Sequence, residues 1–232
     1  MAENRTPSPS SCPSTPTAAS GLSRRTLFSA GTAALGALTL PSAAQAKAGA
    51  ARICIFDGLQ PVALSISGPG VQANRGAVDA ARDRMLTMHG HCFDAAWACG
   101  LDAINSLETE RLSTTVEYDG KTHELRGPLL QTVLQAAGVD LGQAMAAGHW
   151  LLLQGIDGYR AQLPLTDAIR WKLLLATHMD GQPLAMGGLG PLWAMYAPQD
   201  IAELADKPLD QRFTQAVWGL YYMAIAAPPP QP

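Results

Sequence analysis

Residues 112–130 read LSTTVEYDGKTHELRGPLL, and most of the fold can be read outward from them. Residues 112–118 carry Thr114, Thr115, Val116 and Tyr118. These β-branched and aromatic types suit a pleated, half-buried surface, so they predict a strand. Asp119-Gly120 is a tight-turn signal, and residues 121–125 return as the partner strand. Gly127-Pro128 then opens a helix with proline at its first position, where a missing N–H does no harm. Leu129, Leu130, Val133, Leu134 and Ala137 line its buried side, and Gly138 suits the left-handed stop.

On the N-terminal side, residues 62–67 place large side chains at alternate positions, which predicts a strand ended by Gly68-Pro69-Gly70. Residues 78–88 predict a short helix. Residues 93–104 predict another, with Phe93, Trp97, Leu101 and Ile104 on one stripe. On the C-terminal side, residues 150–154 and 159–163 form a hairpin across Gly155-Ile156-Asp157-Gly158. Thr166 caps a short helix through Ile169. Residues 173–176, 192–196 and 217–225 read as further strands. Strands dominate and do not alternate strictly with helices, so the expected class is α+β, with a β-rich, mixed-sheet or barrel-like core and short helices. No Gly-x-Gly-x-x-Gly follows a strand, which sets aside a dinucleotide-binding sheet.

The chain has 232 residues, 47% of them hydrophobic, which excludes a wholly disordered protein. Its formal net charge is −3 with no basic cluster, so a nucleic-acid partner is not expected. Residues 1–23 are rich in Ser, Pro and Thr. Ser23-Arg24-Arg25-Thr26-Leu27-Phe28 follows, then an uncharged run of small and apolar residues to Ala44-Gln45-Ala46. A positive pair, an apolar run and a small-x-small site make up the plan of an export signal. The two arginines ahead of a weakly hydrophobic run resemble the twin-arginine type, which carries folded proteins. Pro41 breaks the run, which argues against a membrane anchor. The expected organisation is therefore a signal over 1–46, one domain over 47–227 and a proline-rich tail over 228–232. The expected location is the periplasm, with no stable membrane span after cleavage. Removing residues 1–46 takes away three arginines and one glutamate and leaves a net charge of −5.

His89, His91, Cys92 and Cys99 are the densest group of potential metal ligands. Imidazole and thiolate suit zinc or copper, but the spacing matches no closed zinc site. Cys92 and Cys99 are alternatively a disulfide pair. In one straight helix they would lie about 10 Å apart, too far to bridge, so pairing requires Cys92 in a loop or Cys54 as the partner. His123, His149 and His178 are scattered and read as structural. So do the carboxylates Glu108, Glu110, Glu117 and Asp119, and the tryptophans Trp97, Trp150, Trp171, Trp193 and Trp218.

One order of motifs is more specific. Leu112 to Tyr118 leads to Arg126-Gly127-Pro128-Leu129-Leu130 and a helix ending Ala136-Ala137-Gly138. Gly158-Tyr159-Arg160-Ala161-Gln162-Leu163-Pro164-Leu165 follows. Leu174-Leu175-Ala176-Thr177-His178-Met179-Asp180-Gly181-Gln182-Pro183-Leu184 and Gly190-Pro191-Leu192-Trp193 complete it. This order resembles the oxidoreductase molybdopterin-binding domain family, the sulfite oxidase fold, over about residues 60–225. The resemblance implies a molybdopterin cofactor whose metal is held by one cysteine thiolate. Counting back from Gly127 puts that ligand at Thr115, and a hydroxyl is a hard, poorly ionised substitute for sulfur. Trp193 stands where the family often has arginine, and Gln199-Asp200-Ile201-Ala202-Glu203 replaces a basic phosphate-binding segment. The family layout implies a pocket beside Thr115 with Arg160 and Trp193 as walls. Three readings follow. The first is an exported module, degenerate at the metal position, that binds a small-molecule ligand or a periplasmic redox or sensor partner. The second is an active molybdopterin-dependent oxidoreductase with an atypical site. The third is a small metal-binding protein using His89, His91, Cys92 and Cys99.

Overall fold

The computed structural model describes residues 60–229. The export signal expected over 1–46, together with Cys12 and Cys54, lies outside them. In chain order the elements are β1 (Leu64–Ser67), β2 (Arg75–Gly76), α1 (Arg84–Met88), β3 (Ala95–Cys99), α2 (Leu101–Asn105), β4 (Glu110–Thr115), β5 (Thr122–Gly127), α3 (Leu130–Ala136) and α4 (Leu141–Ala146). Then come β6 (Trp150–Gly155), β7 (Arg160–Pro164), α5 (Leu165–Arg170), β8 (Leu174–Ala176), β9 (His178–Met179), β10 (Gln182–Pro183), β11 (Trp193–Met195), α6 (Ala202–Ala205) and β12 (Leu220–Ala226). Among the described residues no helix is long and apolar enough to cross a membrane.

The class is α+β, as expected. The strands form three open sheets rather than a closed barrel: β2-β3-β1-β12-β6-β7, β10-β9-β5-β4 and β11-β8. The first and last long strands, β1 and β12, pair in parallel at the centre of the large sheet. Strand alternation divides that sheet into two unlike faces. Leu64, Ile66, Leu151, Leu153, Met223 and Ile225 point into the main core, where α3, α4 and α5 bring Leu130, Val133, Leu134, Ala144, Leu165 and Ala168. The opposite face is polar yet buried, with Ser65, Ser67 and Gln154 all under 7% exposed.

The helix expected over 93–104 is a strand followed by a short helix. Ala96–Cys99 are all buried, and β3 is hydrogen-bonded on both edges, to β1 and to β2. A helix there would leave both neighbours' backbone groups unpaired. Where β2 stops, Asn74 takes over the pairing: its side chain donates to Ala98 O and accepts from Ala98 N. The helix expected over 78–88 shrinks to α1. Thr166 lies inside α5, whose N-cap is Pro164. Helix α4 is an addition to the expected elements, and Asp140 and Gln143 carry its signal: the Asp140 side chain accepts from Gln143 N at 3.0 Å.

Proline 128 is not the first residue of a helix. Gly127 ends β5, Leu129 is the N-cap, and the helix starts at Leu130. Its end is as expected, with Gly138 at φ +86°. Residues 126–130 instead run as an extended ladder beside 173–177: Leu130 N donates to Leu173 O, Leu175 N to Pro128 O and Thr177 N to Arg126 O. The ladder is so close that a Cβ on Gly127 would sit 2.0 Å from Leu175 O. It pins the β4–β5 hairpin over a second core of Val116, Leu125, Leu174, Ala176, Trp193 and Met195. Gly127→Ala is expected to cost about 3 kcal/mol, read as a lowered urea midpoint, because backbone must move on both sides. Gly120→Ala meets nothing within 4 Å but sits at φ +67°, and is expected to cost only about 1 kcal/mol.

Candidate functional site

The pinned hairpin delivers Thr115 to the end of β4, directly opposite Thr122 of β5. Their hydroxyls share a hydrogen bond of 2.9 Å. Residues 197–212 fold across this end. Thr114, 1% exposed, donates to Gln199 Oε1 at 3.1 Å, and Gln199 Nε2 donates to Ser113 O at 2.9 Å. Arg212 is held from its backbone and its Nε: Tyr196 donates its hydroxyl to Arg212 O at 2.8 Å, and Arg212 Nε donates to Lys207 O at 2.6 Å. The result is a pocket of about 310 Å³ lined by Ser113, Thr114, Thr115, Thr122, Gln199 and Arg212. That volume is at the small end of the range for small-molecule sites.

The pocket is rich in donors. Thr114 spends its proton on Gln199, and Thr115 and Thr122 need only one proton for their shared bond. The Ser113 hydroxyl, one threonine hydroxyl proton and the Nη groups of Arg212 remain for a ligand. Among the described residues no carboxylate, imidazole or thiol lines the pocket. Among the described residues Arg212 makes no ion pair. The arrangement can hold a negatively charged or strongly accepting group, and it contains no side chain suited to act as a general base near neutral pH.

Thr115 lines this pocket, and Arg160 and Trp193 do not. Arg160 belongs to the polar face of the large sheet, where its Nε donates to Gln154 Oε1 and its Nη2 to His89 O. Trp193 is 2% exposed in the second core, pairs with Ala176 and stacks on Tyr118. Gln199 and Arg212 are walls that sequence reasoning missed. In the sequence Gln199 stands out only as part of the non-basic segment 199–203. Arg212 comes from a later turn, and no local spacing ties it to Thr115.

His89, His91, Cys92 and Cys99 do not converge. His89 Nδ1 bonds the Tyr221 hydroxyl at 2.7 Å, and His91 Nε2 bonds Gln154 Oε1 at 2.9 Å. Cys92 lies in a loop and is disulfide-bonded, which removes its thiolate, and Cys99 is buried in β3. Among the described residues no group of three His, Cys, Asp or Glu side chains could hold a metal ion. The histidine contacts belong to one polar row across the large sheet. Register places Ser65 beside Tyr222, Tyr222 beside Gln154 and Gln154 beside Arg160. The Gln154 amide nitrogen donates to Gly155 O and Tyr159 O, so its oxygen faces His91, and His91 must carry its proton on Nε2. Burial holds the His91 pKa below 6.5.

His123 is the opposite case. Its Nδ1 meets Asp180 at 2.6 Å and its Nε2 meets Asp119 at 3.1 Å. These bonds, Asp180's first, hold its pKa above 6.5. His178 bonds Thr177 and Arg126, and among the described residues the buried His149 Nδ1 has no partner.

The residues matched by the family described as the oxidoreductase molybdopterin binding domain are 72–195, more than half of the chain. The chain belongs to that family. Among solved structures it is similar to the sulfane dehydrogenase SoxCD from Paracoccus pantotrophus, at 13% identity and a TM-score of 0.46. That likeness covers 71% of this chain and 38% of the SoxCD chain, so this chain matches well under half of that protein. No curated protein matches. In this family member the donors at the Thr115 pocket are hydroxyls, an amide and a guanidinium. A thiolate-held molybdenum does not fit them, because a soft metal centre needs an anionic sulfur that none of these groups replaces.

Proton titration followed by NMR is expected to give a value above 6.5 for His123 and below 6.5 for His91. Asp180→Asn should bring His123 back toward 6.5. The two residues act on stability in opposite directions. His123 contributes fully below pH 6.5, and its contribution is lost as pH rises through its raised folded value. His91 costs nothing above pH 6.5, and stability is lost as pH falls from there through its lowered folded value.

Proposed function

We propose that this chain is an exported, ligand-binding member of the molybdopterin-binding domain family that has given up thiolate-anchored molybdenum, and that its ligand is a small anion held at Thr115. One observation carries the reading: the pocket at Thr115 offers hydroxyl, amide and guanidinium donors and, among the described residues, no sulfur, carboxylate or imidazole. Donors without an anionic partner favour a ligand that supplies the negative charge. Thr115 and Thr122 reach the ligand from paired strands, and Arg212 reaches it from a turn pinned by Tyr196, so the pocket is set before a ligand arrives. The paired arginines at 24 and 25 ahead of the uncharged run support the export part of the proposal, with the periplasm as destination. The other member of this class, an oxidoreductase that carries molybdopterin at an atypical site, is the competing outcome of the test.

The test uses protein purified from cells supplied with molybdate. Metal analysis and pterin fluorescence are expected to find neither molybdenum nor pterin in stoichiometric amount, and stoichiometric amounts of both would overturn the proposal. In parallel, sulfate, phosphate and small carboxylates are titrated against the thermal midpoint. At about 100 times its Kd, one of them is expected to add roughly 2.7 kcal/mol, a rise of several degrees. Arg212→Gln should abolish that rise while leaving the ligand-free midpoint within about 1 kcal/mol of the parent. No response to any of these anions would overturn the anion assignment.

A further inference from the structure

A second cleft, on different residues, has the reverse chemistry. It is about 190 Å³ in volume and lies where three loops meet: residues 117–118 after β4, the β6–β7 turn, and residues 210–218. Among the described residues three carboxylates line it, Glu117, Asp157 and Asp210, and no lysine, arginine or histidine does. Among the described residues none of the three makes an ion pair. The remaining wall is aromatic: Tyr118, Tyr159 and Trp218, with Phe213 behind them. Tyr118 and Tyr159 are 57% and 45% exposed, so two large rings face water beside the acids.

The rings are held in place. Tyr159 donates its hydroxyl across the cleft to Thr214 O at 2.9 Å, and its backbone N–H donates to Asp157 Oδ1 at 2.9 Å. Tyr118 rests on the buried Trp193 ring with centroids 6.1 Å apart. Tyr196, fully buried, fixes the third loop: its hydroxyl donates to Arg212 O and accepts from Gln215 N. Little ordering is then left for a ligand to impose.

We propose that this cleft binds a small organic cation through a quaternary alkylammonium head group. Acids without basic partners supply the long-range attraction, and aromatic faces supply close contact with a weakly hydrated cation. A divalent metal is disfavoured on geometry, since the carboxylates do not gather into a group of three metal donors. The volume suits a head group, with the rest of a larger molecule left in solvent. The surroundings of Tyr118 agree: burial first, then the charges of Glu117 and Asp157, push its phenol pKa up, as expected of a wall in a negative field.

The test is calorimetric titration of the full chain with choline, tetramethylammonium, sodium, acetyl-lysine amide and 3,3-dimethylbutan-1-ol, the neutral carbon isostere of choline. Saturable binding of choline and tetramethylammonium is expected, with none by sodium or the neutral isostere. Tyr118→Leu and Glu117→Gln change exposed side chains and should each weaken choline binding by up to about tenfold. Near-UV circular dichroism checks that both variants keep the parent fold. No saturation by about 10 mM choline overturns the proposal, as does equal binding of the neutral isostere. Tighter binding of acetyl-lysine amide than of choline also overturns it, because the cleft would then be built for a side chain of a partner protein. None of these readouts depends on the Thr115 pocket.

Discussion

The β4–β5 hairpin can approach β8 only because residue 127 has no side chain. Residues 126–130 lie against 173–177 as a continuous backbone ladder, and any Cβ at 127 would collide with the Leu175 carbonyl. This contact sets the second core beneath the hairpin, with Leu125 and Val116 on one side and Leu174, Ala176 and Trp193 on the other. It also fixes where β4 ends, and so where Thr115 meets Thr122. Both clefts take walls from this hairpin, one at its last strand residues and one at its turn, and the pinned segment 209–218 closes both.

The large sheet solves a different problem. One face meets helices and needs only apolar side chains. The other is covered by the 72–94 segment and carries Ser65, Ser67, Gln154 and Tyr222. Buried polar groups are tolerable when each finds a partner. Here they do so laterally: Ser67 with Tyr222, Gln154 with His91 and Arg160, and His89 with Tyr221. This lateral network is why His89, His91 and Arg160, which look like ligands in one dimension, serve the fold.

The two clefts are segregated by charge. The one at Thr115 presents donors and a guanidinium, while the one at Tyr118 presents carboxylates and rings. They are separated just after β4 by Val116, which is buried in the second core. One hairpin thus serves two environments of opposite sign, one at the end of its paired strands and one at its turn.

Much of this was legible in the amino-acid order. The 112–125 hairpin, the 150–163 hairpin, the helix closed by Gly138, the α+β class and the family all follow from local signals that repeat wherever such residues occur. So does the hydroxyl at Thr115, since a residue type needs no coordinates. The misreadings share one cause. The 93–104 stretch has a helical stripe, yet Ala95–Cys99 is a strand because β1 and β2 supply backbone partners from elsewhere in the chain. Pro128 resembles a helix start, yet Leu175 claims its carbonyl. Arg212 joins Thr115 across almost a hundred residues, while Arg160 goes to the other sheet. Local sequence determines which elements can form. Only tertiary structure decides which backbone edges and charged side chains meet, because those pairings span distances that no local pattern encodes.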